Sequence, residues 1–357
     1  MSQPFEPASI QAARRYAPFL AWASWFVFAW CAAVVGGDLW GEVAGHWQTA
    51  VAMMLGSFVA GATPMGGGTV GFPVLVLMLG EPAALGRQFS FAVQSVGMTS
   101  ASIFILCSGR ALALRLMLWA MASSAIVVPV ASVALLPLLS ESAIKLAFAC
   151  VWGAFGFLTL VKAREMRHWH HLPRLSARTD AAAGLAVGVV GGLASAFTGV
   201  GIDMIAYTVL VLLYRCDLRV AISTSVLLMA FNSLVGVLTT ASSGATDPGV
   251  FGHWLAAAPV VLFGAPLGAL AIQFIPRTPA MVGVAVLCLI QLFWMASNVG
   301  VGLVGAVGIA VAMLAANGVF HLLYVAGRRA EAARKGESAG QSVGERGLPA
   351  GSPPIGE

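Results

Sequence analysis

The segment Pro64-Met65-Gly66-Gly67-Gly68-Thr69-Val70-Gly71-Phe72-Pro73 places a cluster of glycines inside a long apolar stretch, and Val74-Leu75-Val76-Leu77 follows it. The aliphatic tetrapeptide returns 135 positions later as Val209-Leu210-Val211-Leu212, and a second glycine cluster, Gly199-Val200-Gly201, precedes it. The same offset aligns two further pairs of polar residues, Thr63 with Thr198 and Ser90 with Ser225. A glycine-broken apolar segment that occurs twice predicts an internal repeat.

Composition places the chain in the membrane class. Of its 357 residues, 59% are hydrophobic and only 9% are charged. Apolar runs of about 20 residues, enough to cross a bilayer as a helix, recur along the whole length. The charges lie in short connections and in the two ends, whereas a soluble core would alternate with charged faces. We therefore predict an all-α polytopic membrane protein.

The two ends of the chain add one helix each. The apolar run at 17–35 is long enough to span and lacks a convincing cleavage site, so we predict a retained first helix after a cytoplasmic segment 1–16. A final helix is expected at 301–325. The segment 327–357 is rich in Gly, Ser, Glu and Arg and is predicted to be a disordered cytoplasmic tail. The five cysteines show no C-x-x-C spacing, which argues against a disulfide framework.

Basic residues set the predicted orientation, because lysine and arginine near helix ends stay on the cytoplasmic side. The loops at 108–115 and 162–180 are basic and are assigned to the cytoplasm, as are both termini. On this assignment only Arg87 and Lys145 of the 19 basic residues lie outside. Spans are expected at 88–107, 114–137 and 143–161 in a first repeat (49–161), and at 220–241, 251–273 and 279–297 in a second (181–297).

Two segments do not fit as ordinary spans. The segment 49–80 holds 32 residues without a charge, and on this topology it begins and ends outside. A re-entrant hairpin with halves at 49–62 and 69–80 and a tip at 64–68 fits best. The segment 181–214 forms the same element from the cytoplasmic side. Two inverted repeats, each a hairpin plus three spans, are the architecture of alternating-access carriers.

A broken helix offers free backbone N–H groups where its second half begins, and the helix dipole favours an anion there. Glycine lets the backbone approach such a ligand closely. The alternative is that these glycines only permit close helix packing. The predicted substrate-binding residues are Thr63, Gly66, Gly67, Gly68, Thr69, Ser90, Thr198, Gly199, Gly201, Thr224, Ser225 and Asn232.

Asp203 is the only charged residue inside either predicted hairpin. A charge at that depth costs a few kcal/mol or more unless it is paired, hydrated or protonated. One hypothesis is that Asp203 takes up and releases a proton as the anion moves. The other is that its carboxylate caps the half-helix that follows.

These segments resemble the TauE/SafE-type sulfite exporters over about residues 49–300. The resemblance rests on the two glycine clusters and on a later polar run, Ser223-Thr224-Ser225 with Asn232-Ser233, whose first-half counterpart is Ser90, Gln94, Ser95 and Thr99-Ser100. It implies transport of sulfite, organosulfonates or related small anions across the inner membrane. The second copy departs from the family pattern, with Thr208 in place of a proline and Asp203 in place of a glycine.

Rival functions have weaker support. A channel on the same fold stays open, whereas an intramembrane aspartyl protease needs a second carboxylate. The chain has no P-loop and no H-E-x-x-H motif, so no enzyme or cofactor is expected. The loop histidines His168, His170 and His171 suit a headgroup surface better than a metal. We predict a secondary carrier whose partners are a small anion and the lipid bilayer and not nucleic acid, and the family resemblance implies that it is an exporter. The sequence leaves proton coupling and homo-oligomerisation open.

Overall fold

The computed structural model describes residues 8–166, 176–274, 277–299 and 302–346. Over these residues it consists of helices and their connections, and it contains no strand. The α-helices in chain order are α1 (Ala8–Gly36), α2 (Trp40–Gly45), α3 (Trp47–Ala62), α4 (Gly68–Pro73), α5 (Ala83–Cys107), α6 (Leu114–Val130), α7 (Glu141–Met166), α8 (Ala177–Thr198), α9 (Ile202–Leu212), α10 (Leu218–Ser242), α11 (Gly249–Ala271), α12 (Arg277–Val299) and α13 (Leu303–Arg346).

Two helices continue into π-helical turns just after a proline. A π-helical turn at Val74–Met78 follows Pro73 at the end of α4. Another at Ala131–Leu135 follows α6, whose last turn contains Pro129. Proline has no backbone N–H and so removes one hydrogen bond from a helix, and a local change of helical pitch accommodates the loss. Both apolar stretches therefore continue beyond the end of their α-helix.

Seven helices of the described part are long and apolar enough to cross a membrane, which confirms the prediction of a polytopic helical membrane protein. One of them is α8, with 22 residues, or about 33 Å at 1.5 Å per residue. Its counterpart α3 has only 16 residues. The seven spans are Arg14–Gly36, Ala83–Cys107, Leu114–Leu138, Ala177–Thr198, Leu218–Ser242, Gly249–Ala271 and Gly305–Ala332.

The spacing of the repeat also appears in the helix boundaries. Helix α10 begins and ends 135 residues after α5, and α11 begins 135 residues after α6. Short helices follow the glycine clusters in both halves, as α4 and α9. The two halves therefore share one order of elements. The predicted re-entrant hairpins and their opposite orientation in the membrane stay predictions.

The equivalent helices α5 and α10 run antiparallel against each other. Near the start of α5, the Gln88 Nε2 group donates to the carbonyl of Ala245, just beyond the end of α10, at 2.8 Å. Three residues further along α5, the ring of Phe91 lies against Gly236, which is earlier in α10. Residues later in α5 thus contact residues earlier in α10, as in two antiparallel helices.

The equivalent pair α7 and α12 packs in the same antiparallel sense. Gly153 lies against the side chain of Leu292, and Gly156 lies against the Cβ atom of Cys288. Glycine allows the two backbones to approach closely at these points. Both equivalent pairs are therefore arranged head to tail.

Each half also lends a helix to the other half. Helix α3 packs along α11, where Gly61 lies directly on the carbonyl of Ala265. Helix α8 packs along α6, where Gly188 lies on the carbonyl of Ala120. Both pairs run parallel, because residues later in one helix contact residues later in the other. This exchange of helices ties the two halves into one structure.

Helix α1 lies at the periphery and packs antiparallel to α5. The guanidinium of Arg15 donates to the carbonyls of Cys107 and Ser108 at the end of α5. Further along, the Trp22 indole N–H donates to the hydroxyl of Ser100 at 2.8 Å. This helix begins before residue 17, the start expected from its apolar run, because Ala8–Tyr16 extend it by about two and a half turns at its N-terminus.

Helix α13 continues to Arg346, well beyond the expected end of the final helix at residue 325. The added segment is rich in alanine, glutamate and arginine, which favour helix without apolar content. Contacts with the second half support it, because Arg215 forms an ion pair with Glu331 and Gly327 lies on the carbonyl of Leu212. Residues 347–357, the loop residues 167–175 and the three loop histidines lie outside the described residues.

Candidate functional site

Two threonines end the helices that lead into the glycine clusters, and they do so in the same way. The Thr63 hydroxyl donates to the carbonyl of Val59 at 2.7 Å and accepts the N–H of Met65 at 3.3 Å. The Thr198 hydroxyl donates to the carbonyl of Ala194 at 2.9 Å and accepts the N–H of Val200 at 3.4 Å. Such local bonds compete with the helical ladder and end it. We call residues 63–67 the first tip and residues 199–201 the second tip.

The second tip requires glycine for its backbone conformation. Gly199 has φ +80° and ends α8 in the left-handed region, and its N–H donates to the Ser195 carbonyl at 2.7 Å. Gly201, directly before α9, has φ +125°. A methyl group on Gly199 would also lie 2.5 Å from the carbonyl oxygen of Arg87. Both conformation and space therefore exclude a side chain at Gly199.

The first tip and the start of α4 together contact the second tip and the start of α9. A methyl group on Gly68, at the start of α4, would lie 2.5 Å from Val200 Cγ1 and 2.7 Å from Ser90. A methyl group on Gly66 would lie 3.0 Å from Asp203 Oδ2. The repeated glycines thus bring the two breaks of the chain together, a contact that requires residues without side chains.

Asp203 lies between the tips and is 3% exposed. Its Oδ1 accepts the N–H of Met204 at 2.9 Å, in the first turn of α9. The N–H groups of Gly201 and of Gly66, from the other tip, also point at this carboxylate. The structure therefore supports the capping role of Asp203, and its proton coupling stays a hypothesis. The backbone donors at the tips converge on one oxyanion, the carboxylate of the chain itself.

Gln94 of α5 is a tip residue that the predicted set did not include. Its Nε2 group donates to the carbonyls of Gly199 at 3.1 Å and Ser90 at 2.7 Å. Its Oε1 atom lies against Gly66 and has no hydrogen-bond partner within the described part of the chain. The available signal was an uncharged polar side chain in the middle of an apolar helix.

Gln291 of α12 is a second such residue. Its Nε2 group donates to the carbonyl of Thr69 in α4 at 2.6 Å. The Thr69 hydroxyl and the Gln291 Oε1 atom are buried and lack a hydrogen-bond partner among the described residues. Buried polar atoms without a hydrogen-bond partner are rare in proteins. These two atoms can therefore form hydrogen bonds with a ligand beside the first break.

The remaining predicted residues divide by position. Ser90 and Ser225 both donate to the carbonyl four residues earlier, at 2.7 and 2.8 Å. Thr224 accepts the N–H of Ala113 at 3.0 Å and thereby fixes the loop before α6. Asn232 is fully buried, and neither amide atom has a partner among the described residues. Of the predicted set, the residues at or beside the contact between the tips are Gly66, Gly67, Gly68, Gly199, Gly201 and Ser90.

No group of three or more His, Cys, Asp or Glu side chains in the described part of the chain is placed to bind a metal. Searches among curated proteins and among solved structures gave no significant match. Residues 49–295, which contain both tips and the helices around them, match the family model described as Sulfite exporter TauE/SafE. Because this match spans well over half of the 357 residues, the chain belongs to the TauE/SafE family of sulfite exporters.

Proposed function

We propose that the protein is a secondary carrier that exports sulfite or an organosulfonate across the inner membrane, with both termini in the cytoplasm. Its family makes it a multi-pass membrane transporter and not an enzyme. The main observation in support of this proposal is that backbone N–H groups at the tips converge on the carboxylate of Asp203. A site that holds a carboxylate between two half-helix starts has the chemistry to hold another small oxyanion.

The packing directions support an inverted-repeat carrier. The equivalent helices pack antiparallel in two pairs, α5 with α10 and α7 with α12. The two helices that lead into the tips, α3 and α8, run parallel to α11 and α6, which occupy equivalent places in opposite halves. Each direction agrees with the topology expected from the basic loops. Two hairpins that enter from opposite faces and meet at their tips fit these contacts best.

Asp203 links the anion to a proton in this mechanism. While the carboxylate is charged, it occupies the tip N–H groups and repels an incoming anion. A protonated carboxyl accepts these hydrogen bonds more weakly and carries no charge, so the N–H groups become free for substrate. Loading of the anion and protonation of Asp203 therefore occur together, and release of the anion allows the carboxylate to return. Rocking of the two halves about the tips then exposes the site to one face at a time.

Labelled sulfite uptake into proteoliposomes, with and without an imposed pH gradient, tests this proposal. Because the anion and the proton load together, we expect saturable uptake that a gradient acidic outside the vesicles stimulates severalfold in the wild type. Asp203→Asn should retain flux and lose the stimulation, because an amide cannot take up the proton. Asp217→Asn is the matched control. Asp217 is the N-cap residue of α10 and accepts the Arg219 N–H at 2.8 Å. Asparagine caps a helix equally well.

Each outcome tests a separate part of the proposal. Equal gradient stimulation of Asp203→Asn and wild type would refute the coupling by Asp203. Flux no greater than in empty liposomes, for sulfite and for taurine, would refute the substrate assignment. Flux that does not saturate, together with a high unitary conductance, would show that the protein is a channel and not a carrier.

A further inference from the structure

Arg87 is a buried cation that has few hydrogen bonds and no ion pair with the described residues. It lies in the second turn of α5 and is 6% exposed. Its Nη1 group donates to the carbonyl of Ala196, near the end of α8, at 3.4 Å. Its Nε group has no hydrogen-bond partner, and no carboxylate lies within 4 Å of it, among the residues that the structure describes.

A helix-capping role accounts for only part of this arrangement. Arginine near the C-terminus of a helix interacts favourably with the last carbonyls and with the helix dipole. Arg87 makes one long hydrogen bond of this kind, although a guanidinium has five N–H donors. A buried charge is normally paired, because burial without compensation is costly. The geometry therefore leaves room for an anion beside Arg87.

A cavity of about 300 Å³ lies at this arginine. That volume is at the lower end of the range for small-molecule sites. Among the described lining residues, Arg87 supplies the one charged side chain and the others are apolar. The lining consists of Pro82, Ala83, Ala84, Arg87, Leu136, Leu139 and Ile144.

This cavity adjoins the second tip. The carbonyl of Arg87 faces Gly199, where a methyl group would lie only 2.5 Å from it. The guanidinium contacts the last turns of α8, which leads into the same tip. The cavity is at the end of α5 that the topology assigns to the outside. An anion held here would lie directly outside the tips.

We propose that the Arg87 cavity is an outer binding site for small organic oxyanions with a short hydrocarbon body, such as alkanesulfonates. The guanidinium binds the oxyanion group, and the walls formed by Leu136, Leu139 and Ile144 bind the hydrocarbon. Sulfite has no hydrocarbon to place against these walls. The site therefore favours an organosulfonate over the inorganic anion. This inference deepens the proposed function and, as a substrate preference, rests on it.

Calorimetric titration of the purified full-length protein with methanesulfonate, ethanesulfonate and propanesulfonate tests the site. We expect about threefold tighter binding for each added CH₂ group, as partial burial of a methylene predicts. Arg87→Gln should weaken propanesulfonate binding at least tenfold, and Arg87→Lys should weaken it less. Ile144→Asn should abolish the gain with chain length while the variant still binds methanesulfonate.

Arg110→Gln is the matched control, because Arg110 lies beyond the opposite end of α5 and donates to the carbonyl of Ala269, near the end of α11, at 2.7 Å. It should bind propanesulfonate as the wild type does. Equal binding by Arg87→Gln and wild type, or no gain with chain length in the wild type, would overturn the proposal. If Arg87→Gln does not fold, Arg87→Lys and Ile144→Asn decide the question by the same two criteria.

Sulfite flux in the same preparation separates this inference from the proposed function. Binding that depends on Arg87 in a protein without sulfite or organosulfonate flux would support the site and refute the carrier. Flux with binding that is indifferent to Arg87 would refute the site and leave the carrier intact.

Discussion

Alanine substitution at two adjacent glycines of the first tip should have very different effects. A methyl group on Gly66 would overlap Gln94 Oε1 and lie 3.0 Å from Asp203 Oδ2. A methyl group on Gly67 would have Met53 Cε at 3.4 Å as its nearest neighbour, which is an ordinary contact. Gly66→Ala is therefore the perturbation, and Gly67→Ala is its matched control. Neither residue has a positive φ angle, so steric fit separates them.

The cost of Gly66→Ala follows from the movement that would relieve the overlap. The Gln94 amide must swing away, which breaks its hydrogen bonds to the carbonyls of Gly199 and Ser90. Each buried hydrogen bond contributes about 1 kcal/mol, so the loss should be about 2 kcal/mol. Gly67→Ala breaks no bond of this kind and should change the free energy of unfolding by less than about 0.5 kcal/mol.

Two measurements on the same preparations check this prediction. Denaturant unfolding in detergent micelles gives the difference in stability, and sulfite flux in proteoliposomes gives the functional effect. We expect flux to fall at least tenfold in Gly66→Ala, since the contact between the tips is displaced, and to stay within twofold of wild type in Gly67→Ala. Equal damage from both substitutions, or a neutral Gly66→Ala, would refute the reasoning from tip contact.

Two further predictions concern the connection between α9 and α10. Tyr214→Phe should lower the free energy of unfolding by about 2 kcal/mol, because it removes a 2.8 Å hydrogen bond to the buried carboxylate of Asp180; Tyr16→Phe, with only a 3.4 Å contact to Ser108, is the control, and equal losses would contradict the assignment. Burial raises the pKa of the Cys216 thiol to about 12, so its reactive thiolate becomes abundant only as the pH approaches that value. Maleimide should leave Cys216 unmodified at pH 7.5 until the protein is denatured, as mass spectrometry can check, and rapid labelling of the folded protein would contradict this.

The helices were largely predictable because apolar length and glycine breaks are local signals. The errors arose where a local signal had two meanings. The span expected from residue 88 excludes Arg87, yet α5 begins at Ala83, directly after Pro82, and contains Arg87. Helix α13 continues to Arg346 because helix propensity does not require apolar residues.

The site was predictable in its backbone and less so in its side chains. The glycine clusters and Asp203 stood out by repetition and by charge, and they lie together in the structure. Gln94 had a weaker signal, as one member of the polar run in the first half, because the repeat places Met229 at the equivalent position. Its role depends on α5 passing beside both tips. That relation is set by packing between distant segments, which a single sequence does not encode locally.

The carboxylate between the tips also makes the two halves unequal. The repeat aligns Asp203 with Gly68, so one half carries an acid where the other carries no side chain. In a carrier with identical inverted halves, a two-fold axis would interchange the states open to either side, and the two states would have the same energy. In the inverted-repeat carrier that we propose, Asp203 would contribute differently to these two states, and we expect it to bias which face the empty carrier presents at rest.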